Sequence, residues 1–129
     1  MSGNVLLDTS IVIGLFASDP TVIARLSQAD EIFIPSVVLG ELYFGAYKWA
    51  HPDQHVRRIE ELISTSTVLV CDAATAALYG RIKKALREKN KPLPENDIWI
   101  VALAQQHNLT VVSRDPHFKE IENLSIDVW

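Results

Sequence analysis

Short apolar runs alternate along the chain with longer stretches of helical period. Residues 4–8, NVLLD, read as a buried strand, and SIVIGLFA reads as a helix opened by Asp8, Thr9 or Ser10 as cap. DPTVIARLSQ starts a second helix, with Asp19 as cap and Pro20 at its first position. EIFIP is another apolar strand, stopped by Pro35. Helices are predicted at about 36–50 and 53–66, then a third strand, TVLVCD. AATAALYGRIKKALREKN predicts a long helix, and PLPENDIWIVALAQQHN leads through a proline-rich turn into another. LTVVSRD is a fourth strand and LSIDV a short fifth.

Strands this short and apolar, each separated by helix, imply a parallel sheet covered on both faces. Ligands of such sheets gather beyond the carboxyl ends of the strands. Three acidic residues follow strands: Asp8, Asp72 and Asp115.

The 129 residues suit one domain with one sizeable core. Hydrophobic residues are 48% of the chain and charged residues 22%, which marks a globular protein. Twelve basic against sixteen acidic residues leave a net charge of −4, so net charge alone does not hold this protein on nucleic acid. A local basic surface stays open. Cys71 is the only cysteine, which excludes an internal disulfide and fits a reducing compartment; it is expected as a small packed residue. The apolar run IVIGLFA lacks a basic flank and is far shorter than the ~20 residues of a membrane span. The expectation is a cytoplasmic protein without a membrane partner.

Four carboxylates sit where solvation does not explain them. Asp8 separates two apolar runs, and Glu41 shares its helix face with Val37, Val38, Phe44 and Gly45. Asp97 shares its face with Ile100, Val101 and Ala104, with Asn96 beside it as a candidate cap. Asp115 precedes Pro116 in what reads alone as an ordinary turn. Each has a bland reading, but a parallel sheet brings the ends of strands one and four to one edge, where two helix positions can face the same cleft. Two bare carboxylates ~5 Å apart at an effective dielectric of ~20 repel by roughly 3 kcal/mol. Four must take up protons or hold a cation. Oxygen ligands favour Mg²⁺ or Mn²⁺, and the chemistry such ions serve is phosphodiester hydrolysis with no covalent nucleophile.

Taken in order, LLDTS, PSVVLGELYFGA, NDIWIVALA and VVSRDPHF resemble the motifs of the PIN-domain ribonucleases, and more narrowly the VapC-type toxins of toxin–antitoxin pairs. The resemblance spans the whole chain as one domain, residues 1–129. It implies a three-layer α/β/α sandwich around a central parallel sheet of four to five strands. It maps an acidic cluster onto Asp8, Glu41, Asp97 and Asp115, binding Mg²⁺ or Mn²⁺. Thr9, Ser10 and Ser113 would orient a carboxylate or a metal water, with Asn96 a further supporting residue. RNA as substrate, a cognate antitoxin whose tail enters the cleft, and a homodimer are also implied.

Two rival readings compete. VLLDTS is similar to the opening of haloacid-dehalogenase-like phosphatases, but Ser10 stands where that family carries a second Asp. A PIN-like domain kept only to bind RNA or protein would be expected to have lost acidic positions, and this chain keeps four.

Residues 81–91 hold Arg81, Lys83, Lys84, Arg87, Lys89 and Lys91, half of the basic residues. Lys84 and Arg87 are candidate RNA contacts, the alternative being a solvated helix end. Arg114 is placed either to steady a phosphate or to form a surface ion pair. His51 and His55 have the i, i+4 spacing of helical metal ligands, but Pro52 intervenes and no third ligand is near. His117 is expected in packing or a turn, and His107 at a helix end. Tyr43, Phe44, Tyr47 and Trp49 are expected in the core or at a dimer or antitoxin contact.

Overall fold

Asn4–Leu7 forms β1, and its apolar side chains make it the central strand: Leu6 and Leu7 point to opposite faces, yet both are fully buried. The computed structural model describes residues 3–129. Asp8 caps α1 (Thr9–Phe16), and Asp19 with Pro20 opens α2 (Pro20–Leu26). Then follow β2 (Glu31–Pro35), α3 (Ser36–Tyr47), α4 (Asp53–Ser64) and β3 (Thr67–Leu69). The long α5 (Ala73–Glu88) leads to α6 (Glu95–His107) and β4 (Thr110–Ser113). A 3-10 turn over Pro116–Glu120 and a last strand, β5 (Ile126–Val128), complete the chain.

The sheet is parallel throughout, in the order β3-β2-β1-β4-β5. Val111 and Val112 of β4, like the two leucines of β1, are both fully buried. Consecutive buried residues require cover on both faces, which gives the three-layer α/β/α arrangement expected. Helix α6 is the least amphipathic element: Ile98, Ile100, Val101, Ala102, Leu103 and Ala104 are all buried. Ile100, Leu103 and Ala104 join the main core, while Ile98, Val101 and Ala102 pack with Ile82, Leu86 and Phe118 in a second cluster. Glu95 and Asn96 at its start are exposed, whereas Asp97 one position on is half-buried beside Ile98. Asn108, at φ 56°, ends this helix in the left-handed conformation.

The element boundaries follow the expected order but not always the expected lengths. TVLVCD shortens to Thr67–Leu69, so Val70 and Cys71 lie beyond the ladder and are exposed. Cys71 is therefore not a packed core residue, as its apolar neighbours suggested. Phe44, Tyr47 and Trp49 are exposed at 67, 63 and 62%, which excludes them from the core. Asn96 does not cap α6; Pro94 holds that position without a side-chain bond, and Asn96 is exposed in the first turn.

Candidate functional site

The strand order reverses direction at the β1–β4 junction, so their carboxyl ends flank a crevice of the kind in which open α/β sheets bind ligands. Asp8 follows β1 and is only 5% exposed. An unpaired buried carboxylate is expensive, and this one is not unpaired. Its Oδ1 accepts from the Ser10 hydroxyl at 2.6 Å and from the Ile11 amide at 3.2 Å. The Ser113 hydroxyl donates to its Oδ2. Each serine is itself held: Ser10 Oγ accepts from the Arg114 amide at 3.1 Å, and Ser113 Oγ from the Asp115 amide at 2.9 Å. The two hydroxyls thus join the start of α1 to the loop after β4. Three of the ~4 lone-pair sites on Asp8 are occupied, which leaves one free.

The other carboxylates are oriented with less. Thr9 donates to Glu41 Oε1 at 2.9 Å. Asp115 Oδ1 accepts from the His117 amide at 2.9 Å and faces His117 Nδ1 at 2.8 Å. His117 is therefore a turn contact, as expected. Asp97 sits half-buried in the first turn of α6. Burial pushes its carboxyl up to about 6, and the charges of Asp8, Glu41 and Asp115 add to the rise, with His117 opposing it. Asp8, Glu41 and Asp115 therefore all lie near enough to Asp97 for their charges to act on it. Perturbation by burial plus like charge is characteristic of functional sites.

This donor set fits a hard divalent cation. It is all oxygen, it is repulsive when empty, and each of Glu41 and Asp115 keeps one oxygen that no donor among the described residues reaches. Among the described residues, no three acidic or histidine side chains already close around one point.

Other candidates are distributed differently. Asn96 makes no bond to the cluster. Asp72 caps α5 in a capping box with Thr75, also accepts from Gln106, and stays outside the cluster. Lys84 pairs with Glu88 at 3.2 Å, whereas Arg87 has no ion-pair partner among the described residues. Arg114 is engaged by Asp19 at 2.7 Å, the ion-pair alternative of its two readings. Sequence reasoning missed this bond because Asp19 was accounted for as a cap, which it also is. No local signal links positions so far apart in the chain. His55 stacks on Trp49 at 4.8 Å and binds no second histidine.

An all-parallel sheet with acidic side chains gathered at its switch point defines an α/β domain with a candidate active-site crevice. Residues 5–124 match the PIN domain, and this chain belongs to the PIN-domain family. Ribonuclease VapC2 of Haemophilus influenzae is 34% identical over 127 residues, 96% of each chain. The tRNA(fMet)-specific endonuclease VapC of Shigella flexneri is 29% identical, again over 96% of each. The fold is similar to that of VapBC2 from Rickettsia felis, solved on a DNA fragment from its promoter, with a TM-score of 0.90 and 25% identity over 98% of both chains.

Proposed function

We propose that this chain is a divalent-metal-dependent endoribonuclease and the toxin of a VapBC-type pair, acting in the cytoplasm. The observation that carries the chemistry is Asp97, whose carboxyl is raised to about 6 by burial and by three neighbouring acids. RNA as substrate rests on the named activities of its relatives.

Asp8, Glu41, Asp97 and Asp115 would hold Mg²⁺ or Mn²⁺. Such an ion supplies a water of lowered pKa and counter-charge for the phosphoryl oxygens. The chain's own contribution is position. Ser10 and Ser113 fix Asp8 by both oxygens, Thr9 fixes Glu41, and His117 fixes Asp115. Asp97, half-buried at the start of α6, would offer its carboxylate to the ion where charge is less screened than in water. Lys84 and Arg87 on α5 supply cations for the RNA backbone. Arg114, held by Asp19, keeps the loop that bears Asp115 in place and is a weaker phosphate candidate.

The partner reading has separate support. A groove of about 290 Å³ runs from Thr9 and Glu41 past Ile13 and Phe16 to Trp49 and Arg58. Its apolar walls, and the exposed Phe44 and Tyr47 on the helix that carries Glu41, suit a protein partner: the antitoxin, a second copy of this chain in a homodimer, or both. No single helix among the described residues is long and apolar enough to cross a membrane.

Partner-free protein incubated with labelled total RNA, a DNA control, and Mg²⁺, Mn²⁺ or chelator tests the activity. Discrete metal-dependent RNA cuts are expected. Asp8→Asn and Asp97→Asn should each lose more than the ~10–100-fold that an outer-shell change costs. No cutting by a folded, metal-loaded protein would favour a binding module.

A further inference from the structure

A second cavity is linked to the carboxylates through His117, which lines it and contacts Asp115. Its volume is about 220 Å³, and it is lined by Leu86, Lys91, Pro92, Leu93, His117 and Glu120. We propose that it receives one nucleobase of the bound RNA, beside the scissile phosphate, and so sets base preference at one position; this rests on the ribonuclease reading.

Three features carry the assignment. The first is place. His117 lines the cavity, and its Nδ1 lies 2.8 Å from Asp115 Oδ1, so a single side chain links the cavity to the acidic cluster. The second is size. A volume below the ~300–1,000 Å³ of drug-sized ligands admits a single ring system but not a whole nucleotide. The third is chemistry. Leu86, 4% exposed, together with Pro92 and the half-buried Leu93 gives it an apolar lining. Lys91 and Glu120 meet across the rim at 2.5 Å, each about half exposed.

An ion pair so exposed contributes little to stability. It does place an ammonium donor next to a carboxylate acceptor. The edge of a base offers the complement, a carbonyl or ring nitrogen beside an amino or imino group. Apolar walls take the faces of the ring, as stacking surfaces do in single-strand binding. The wider groove at Trp49 lacks this charged pair, and the cavity at Arg81 and Gln105 is not lined by His117 and so has no such link to Asp115.

The test uses a random-sequence RNA pool, cut with Mn²⁺ and sequenced at the new ends. Wild type is expected to prefer one base at a fixed position next to the cut, and Leu93→Trp, which fills the cavity, should flatten that preference about tenfold. Lys91→Gln with Glu120→Gln, both on the exposed rim, should change which base is preferred without touching the core. In chelator, a short RNA carrying 2-aminopurine should change its fluorescence on wild type and not on Leu93→Trp. Unchanged preference in both variants, or none in wild type, would overturn the pocket. Docking of the probe without any cutting would count against the nuclease alone, and neither docking nor cutting would overturn both.

Discussion

Asp97 connects burial, charge and acid-base behaviour in one side chain. Its folded-state value, about 6, lies above the ordinary 3.8. A carboxyl raised on folding favours the native state fully below its unfolded value, and that contribution is lost as pH rises through about 6. In chelator, wild type should therefore melt several degrees below Asp97→Asn at pH 7.5, with the gap closing near pH 4. Added Mn²⁺ should raise the wild-type melting temperature at pH 7.5 more than at pH 5, and more than in the variant. Thermal melts at several pH values check both. Ser113 makes a different demand. It is fully buried, donates to Asp8 and accepts from the Asp115 amide. Ser113→Ala should cost about 1–3 kcal/mol by leaving both partners unmet. It should lower kcat about 10–100-fold with KM for RNA little changed, as steady-state kinetics would show.

At the scale of elements, two helical glycines separate close approach from mere tolerance. A Cβ at Gly80 in α5 meets nothing within 4 Å, so Gly80→Ala should stabilise by about 0.8–1 kcal/mol through helix propensity. At Gly14 in α1 the same Cβ would lie 3.1 Å from a methyl of Val22 and 3.6 Å from the Arg114 guanidinium carbon. Val22 is fully buried and has nowhere to go. Overpacking of ~1–3 kcal/mol outweighs the propensity gain, and Gly14→Ala should destabilise. Denaturant melts with unchanged m-values decide both cases. The elements themselves were largely legible. Leu6-Leu7 and Val111-Val112 announced strands buried on both faces, and Asp8, Glu41 and Asp97 betrayed themselves by lying among apolar neighbours. What local pattern does not encode is pairing across the fold. Arg114 with Asp19, Thr9 with Glu41, and Lys91 with Glu120 each join residues whose separation in the chain is set by topology alone. Cys71 and Val70 were misread for a related reason: an apolar run predicts a strand but not where its hydrogen-bonded partner ends.

The molecule as a whole carries −4, yet its cations are unevenly committed. Lys89 and Lys91 pair with Glu122 and Glu120, Lys83 pairs with Glu95, and Lys84 shares only a highly exposed contact with Glu88. Arg81, Lys84 and Arg87 are therefore the cations of this stretch most readily turned to phosphate, and Lys84 and Arg87 lie one turn apart on α5. If they meet single-stranded RNA, reversing both charges should weaken binding and reduce the slope of log K against log salt by about 1.4, at ~0.7 per phosphate. Affinity measured across a salt series checks this, and an unchanged slope would place the RNA elsewhere.

The bond from Ser113 to Asp8 spans 105 residues. In space that is a side-chain contact; during synthesis it is an interval. At ~5–20 residues per second, roughly 5–20 s pass between the making of Asp8 and of the serine that completes its support. Through that time the nascent chain has its first acids but neither β4 nor Asp115. A site built from positions this far apart stays unfinished, and without its full set of acids, until the later of them has been made.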